Sequence, residues 1–309
     1  MIKHFIAFLA ILFFTTTAEA QTLYIKTFGE PADKPIIYLH GGPGYNCSNF
    51  EASTAQKLSA QGYYVIVYDR RGEGRSKDKN ARFNFTEAFQ DINSLYDSFH
   101  IKKATLFGHS FGGVVATLYA EKFANKVAAV VLIGAPVSLQ QTFKTIINKC
   151  KNIYTSKNDT LNLGYIKLLE TMDTSSLQYS SYCFQHAMKN GFYSPAKPTD
   201  EAKSIYAALK NDSLKKYFSQ MTFQGPQGFH KNESYTTIDL TVKIKSIIKN
   251  NIPVFGFYGK EDGLYSEQQI ATLEKIIGTG NLKYFENCSH NVFTDQQSAF
   301  FNTLKTWIK

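Results

Sequence analysis

The chain is poor in arginine. Only Arg70, Arg71, Arg75 and Arg82 occur among its 34 basic residues, and all four fall within one short stretch. There is therefore no arginine-rich patch and no nucleic-acid motif, although the formal charge is +9. Cysteine is sparse: Cys47, Cys150, Cys183 and Cys288 follow no zinc spacing, so no metal site is expected. Beyond the N-terminus no apolar run is long enough for a transmembrane helix, which argues against stable membrane insertion. No repeat or low-complexity tract is present. Tryptophan occurs once, at Trp307.

The N-terminus reads as a targeting segment. Lys3 and His4 precede an apolar run over Phe5–Phe14, and Ala18-Glu19-Ala20 fits a small-x-small cleavage site that would leave Gln21 first. Residues 1–20 are read as a signal peptide, and the mature protein is expected to be exported, to a periplasm or the exterior. An oxidising compartment permits disulfides. Three full pairings are possible; Cys150–Cys183 is favoured because both lie in the middle segment, and Cys47 and Cys288 could meet near the site described next.

Gly108-His109-Ser110-Phe111-Gly112-Gly113 joins an apolar strand (Ala104–Phe107) to a small-residue helix (Phe111–Phe123). This is the G-x-S-x-G nucleophile elbow in its strand–turn–helix setting, which lifts a serine hydroxyl above a sheet. Such a serine needs an acid and then a histidine, each on a loop after a later strand. The strand Pro253–Tyr258 is followed by Gly259-Lys260-Glu261-Asp262, and the strand Leu282–Phe285 by Asn287-Cys288-Ser289-His290. The assignment is Ser110 as nucleophile, His290 as general base and acid, and Asp262 as the orienting carboxylate. Glu261 is the alternative acid; Asp262 is preferred because the loop turns at Gly263 directly after it. Neither Cys47 nor Cys288 sits on an elbow, which argues against a cysteine nucleophile. An oxyanion needs fixed N–H donors. The Phe111 amide should supply one, and the loop His40-Gly41-Gly42-Pro43-Gly44 the other, from Gly42 or alternatively Gly41.

Strands and helices alternate, so the expected class is α/β, with a mostly parallel sheet covered by helices on both faces. Further strands are expected at Leu23–Phe28, Ile36–Leu39, Tyr63–Tyr68 and Val127–Ile133, and helices at Asn49–Ala60, Thr86–Phe99, Ser266–Ile277 and Asp295–Trp307. Residues 137–250 interrupt the alternation with helix-length patterns (Ser138–Asn152, Leu163–Met172, Thr199–Asn211). They carry most of the excess charge: residues 136–252 hold fifteen lysines against eight acidic residues. A lysine-rich solvated surface is the preferred reading. Many aromatics lie here, and some should line an apolar pocket over Ser110.

His40-Gly41-Gly42-Pro43-Gly44, the run Asp69-Arg70-Arg71-Gly72-Glu73-Gly74-Arg75-Ser76 and the elbow together resemble the α/β-hydrolase superfamily. The resemblance is greatest to the serine peptidase branch that contains proline iminopeptidases. It covers roughly residues 23–309, least well in the middle. It implies an α/β-hydrolase fold in which 21–136 and 251–309 form the core and 137–250 a helical cap. Only one antiparallel strand should open the sheet. It also implies a serine hydrolase acting through an acyl-enzyme, without a cofactor, on a small molecule or short peptide cleaved from its N-terminal end. A carboxylesterase or lactonase is the alternative, and a non-catalytic binding protein a further one. Phe111 stands where iminopeptidases usually carry tryptophan, and Gly263 where related aminopeptidases place a glutamate. An aminopeptidase must pair a substrate ammonium with a carboxylate; the candidates are Glu201, Glu233 and Glu170, each otherwise a solvated surface residue.

Overall fold

The computed structural model describes residues 23–308, so the N-terminal segment read as a signal peptide lies outside the described residues. Seven strands form one sheet: β1 (Ile25–Phe28), β2 (Lys34–Leu39), β3 (Tyr63–Tyr68), β4 (Ala104–His109), β5 (Val127–Ile133), β6 (Val254–Gly259) and β7 (Leu282–Phe285). Their spatial order is β1-β3-β2-β4-β5-β6-β7. Among the described residues only β1 is antiparallel, paired to β3 with Ile25 opposite Tyr68; the other five pairings are parallel. Among the described residues a single antiparallel strand opens the sheet.

The central strands are apolar along their length because a parallel sheet buries both faces. Successive side chains alternate between two cores. Ile37 and Leu39 of β2 join one cluster with Val114 and Val115, Phe89 and Ile92, and Ile270 and Leu273. Ile36 and Tyr38 join the other, with Phe50, Leu58, Phe300 and Leu304. One face is thereby covered by the helices Phe85–Ser98, Phe111–Lys122 and Glu267–Ile277, the other by residues 48–59 and the helix Gln297–Trp307.

Two expected helices are broken. Residues 48–59 contain a π-helical stretch, Glu51–Ala55, between two short α-helical pieces. Here Glu51 turns inward to accept from Tyr24 Oη and Arg75 Nη1, both at 2.8 Å. The expected helix Asp295–Trp307 instead begins at Gln297, after a separate turn Val292–Asp295. Asp295 is buried, where its carboxylate accepts from Tyr206 Oη at 2.6 Å and Ser289 N–H at 2.8 Å. Those partners fix Gln296 in a non-helical conformation.

Between β5 and β6 run the helices Leu139–Ser156, Thr160–Leu169, Leu177–Lys189, Asp200–Leu209 and Gln224–Glu233. The next helix, Thr241–Lys249, packs on Phe111–Lys122. Its Ile244 and Ile247 are fully buried and its Lys243 pairs with Glu121 at 2.7 Å, so it belongs to the layer on the sheet.

All four cysteines are buried free thiols, so neither the Cys150–Cys183 staple nor a Cys47–Cys288 bridge is formed. Their sulfurs have other neighbours: Arg75 Nη2 donates to Cys47 Sγ at 3.1 Å, and Asn190 Nδ2 lies 3.5 Å from Cys150 Sγ.

Candidate active site

The elbow is built from close backbone contacts. Ser110 follows β4 with φ 52° and ψ −125°, a region that costs a side-chain-bearing residue about 1–3 kcal/mol. The turn is held at both sides, by Ser110 N–H to the Ile133 carbonyl and Gly113 N–H to the Ser110 carbonyl, each 2.9 Å. A methyl group on Gly112 would run into the Leu39 carbonyl, and one on Gly113 into Ala135. This is why small residues flank the serine.

His290 and Asp262 arrive on the loops after β7 and β6. His290 Nδ1 lies 2.8 Å from Asp262 Oδ2. Asp262 Oδ1 accepts the Leu264 N–H at 3.0 Å, so the carboxylate is fixed from two sides. Both residues are buried. Glu261 points elsewhere and accepts the Ala196 N–H at 2.6 Å, so Asp262 is the acid that meets His290. Gly134, at φ +50°, lets the His290 backbone and ring approach the end of β5.

Several neighbours were not apparent from the sequence. Tyr193, from the inserted segment, stands edge-on to His290 with ring centroids 5.1 Å apart. The preceding Phe192 accepts from Gly263 N–H and Ser289 Oγ through its carbonyl, clamping the acid and histidine loops together. Its ring fills the space that a side chain at Gly263 would need. Lys149 donates to the carbonyls of Asp262 at 3.2 Å and Tyr265 at 2.8 Å, and burial lowers its pKa. Phe111 packs against Phe229 at 5.0 Å and Tyr235 at 5.6 Å.

Gly41 lies against the elbow: a methyl group there would sit 3.1 Å from Ser110 Cβ. The Asp69–Ser76 run braces this region. Asp69 accepts from Arg75 Nε at 2.7 Å and Cys47 N–H at 2.8 Å, and Arg71 pairs with Asp91 and Asp78. Burial raises the pKa of the Cys47 and Cys288 thiols, which keeps them protonated.

The three glutamates proposed to hold an ammonium are engaged elsewhere. Glu201 is exposed and accepts from Ser298 Oγ and N–H. Glu170 pairs with Lys151 at 2.7 Å. Half-buried Glu233 accepts the Phe85 N–H at 2.7 Å, at the start of the helix whose Phe85 ring lies 6.2 Å from that of Phe111. Among the described residues no cluster of three His, Cys, Asp or Glu side chains could hold a metal ion. Nor is any helix among them long and apolar enough to cross a membrane.

Two histidines beside the site are held neutral. Burial, then the Arg70 charge, keeps the His40 pKa well below its ordinary 6.5; burial, then His290, does the same for His109. In the unfolded chain both titrate near 6.5. As pH falls below that value the unfolded chain takes up protons that the native state refuses, so stability falls toward the lower, folded pKa values. Each histidine contributes a slope of up to about 1.4 kcal/mol per pH unit. Urea unfolding at pH 7, 6 and 5 is expected to show this decline, shallower by about one proton in His109→Gln. An unchanged slope in that variant would contradict the assignment.

The chain belongs to the alpha/beta hydrolase fold family, whose family model matches residues 34–297. It is similar to a proline iminopeptidase of Chitinophaga pinensis, at 24% identity over 93% of this chain and 93% of that protein. Among solved structures it resembles a proline iminopeptidase-related protein of Thermus thermophilus, with a TM-score of 0.65, 18% identity and 92% of each chain covered. It also resembles an esterase of Exiguobacterium antarcticum, with a TM-score of 0.56, 19% identity, and 92% of this chain and 94% of that one covered.

Proposed function

We propose that the protein is a serine hydrolase that works through an acyl-enzyme. The observation that carries this reading is the 2.8 Å contact between His290 Nδ1 and the buried Asp262 carboxylate, with the His290 ring 4.9 Å from that of His109, the residue before the strained Ser110. Ser110 Oγ attacks a substrate carbonyl while His290 Nε2 takes its proton. Asp262 accepts from Nδ1–H, which fixes the tautomer and stabilises the imidazolium. The amides of Phe111 and Gly42 hold the tetrahedral oxyanion, with Gly41 the alternative to Gly42. His290 returns the proton to the leaving group. Water then attacks the Ser110 ester by the reverse sequence, and no step draws on a cofactor.

The leading substrate is the N-terminal residue of a short peptide or an amino-acid amide, in line with the iminopeptidase relatives that match nearly the whole chain. Glu233 is the first carboxylate to test as the ammonium partner, since the Phe85 whose N–H it accepts has its ring 6.2 Å from that of Phe111, the residue after Ser110. Export before action is part of this reading, on the strength of the N-terminal sequence. A second reading, a carboxylesterase or lactonase, is favoured by one observation: Glu201, Glu233 and Glu170 each already have a partner.

A hydrolysis panel separates the two. The peptidase reading expects prolyl or other aminoacyl p-nitroanilides with a free amine to be cleaved. Acetylating that amine should lower kcat/KM by about 100-fold or more, because the site loses a paired charge and with it the register. Efficient cleavage of N-acetylated amides, or p-nitrophenyl esters turned over far faster than any free-amine amide, would reject it in favour of the esterase.

A further inference from the structure

The glycine loop beside Ser110 is gripped from behind by a buried charged pair. Arg70 Nη2 donates to the Gly41 carbonyl at 2.6 Å, and its Nη1 donates to the His40 carbonyl. The Arg70 main-chain N–H donates to His40 Nε2 at 3.0 Å. Nε2 is therefore the acceptor nitrogen and the neutral ring carries its proton on Nδ1, which lies 2.8 Å from the Gly41 oxygen. The Gly41 carbonyl thus accepts two N–H groups, one of them from a full positive charge. Glu73 secures the far end. Its Oε1 accepts the Gly44 N–H at 2.8 Å, and its Oε2 lies 2.7 Å from Arg70 Nη2. The guanidinium also stands 5.4 Å from the centre of the Phe111 ring. Arg70 and Glu73 are only 2% and 0% exposed, so neither is placed to touch a substrate directly.

The Gly41 carbonyl and the Gly42 N–H belong to one trans peptide, in which C=O and N–H point in opposite directions. A cation bound at the oxygen draws electron density from the nitrogen, so the N–H becomes a stronger donor. The same contacts hold the peptide plane, which spares reorganisation as charge develops. Burying an ion pair for stability alone gains little over apolar packing, so its position behind this peptide points to another use. We propose that Arg70, held by Glu73, is a positioning residue that orients and polarises the Gly41–Gly42 peptide toward the oxyanion. The inference rests on the reading of Ser110 as nucleophile and Gly42 as oxyanion donor.

The test compares the full-length wild type with Arg70→Lys, Arg70→Met and Ser110→Ala. The probes are p-nitrophenyl acetate as substrate and n-butylboronic acid, which forms a tetrahedral adduct on a reactive serine. Arg70→Met is expected to lower kcat by about 10–100-fold, somewhat less than loss of a direct oxyanion donor, with KM within about twofold. The boronate should bind more weakly by a similar factor. Arg70→Lys keeps the charge but cannot reach both carbonyls, so about a tenfold loss of kcat is expected. If Arg70→Met does not fold, Arg70→Lys decides alone. Wild-type kcat in folded Arg70→Lys, or a loss of kcat with unchanged boronate affinity, would overturn the proposal. Full turnover by Ser110→Ala would instead overturn the underlying site reading, whatever Arg70 does.

Discussion

Ser110→Ala is expected to lower kcat by about 10⁴–10⁶-fold on whichever substrate the panel selects, and His290→Ala by a comparable factor. The double variant should be little worse than either single one. Attack and proton transfer are one event, so removing either partner already removes the route. The residual rate would come from binding and the oxyanion donors alone. The fold should survive Ser110→Ala, because the elbow is held by the main-chain bonds at Ile133 and Gly113 rather than by the serine hydroxyl. Circular dichroism and thermal unfolding check that. Either single variant keeping more than about a tenth of wild-type turnover would break the assignment.

Asp262→Asn is the second large effect. The amide can occupy the same space beside His290, but it lacks the charge that stabilises the imidazolium and offers an N–H to Nδ1, favouring the wrong tautomer. A loss of about 10⁴-fold in kcat is expected. Glu261→Gln is the control. Its carboxylate serves the Ala196 N–H, so turnover should stay within about threefold. Reversed sizes for these two losses would mean that the acid is misassigned.

The strands were legible because a parallel sheet covered on both faces leaves each central strand as an unbroken apolar run. Tyr63–Tyr68 and Val127–Ile133 read this way, and the structure gives them the same limits. Ser110 was legible because its elbow is a local device. The pairing of His290 with Asp262 rather than Glu261 could be argued only from a turn at Gly263, and the real reason for that glycine, the Phe192 ring, lies 71 residues away in the chain. Long-range contacts account for the other differences. The helix break at Gln296 depends on Asp295 reaching Tyr206 and Ser289. Tyr193 could not be sorted from the other aromatics of the inserted segment, because it lies in the turn after the helix Leu177–Lys189, where no periodicity marks a face. The expected cysteine pairings rested on position in the chain, which does not specify whether two sulfurs point at each other.

The central claim is that Ser110 carries the covalent intermediate. It is tested most directly by reacting the protein with a fluorophosphonate and locating the adduct by peptide mass mapping. The expected result is one adduct per chain, on Ser110 within the tryptic peptide Ala104–Lys122, formed together with loss of turnover and absent from Ser110→Ala. No adduct on active wild-type protein, or one that forms equally in Ser110→Ala, would contradict the account.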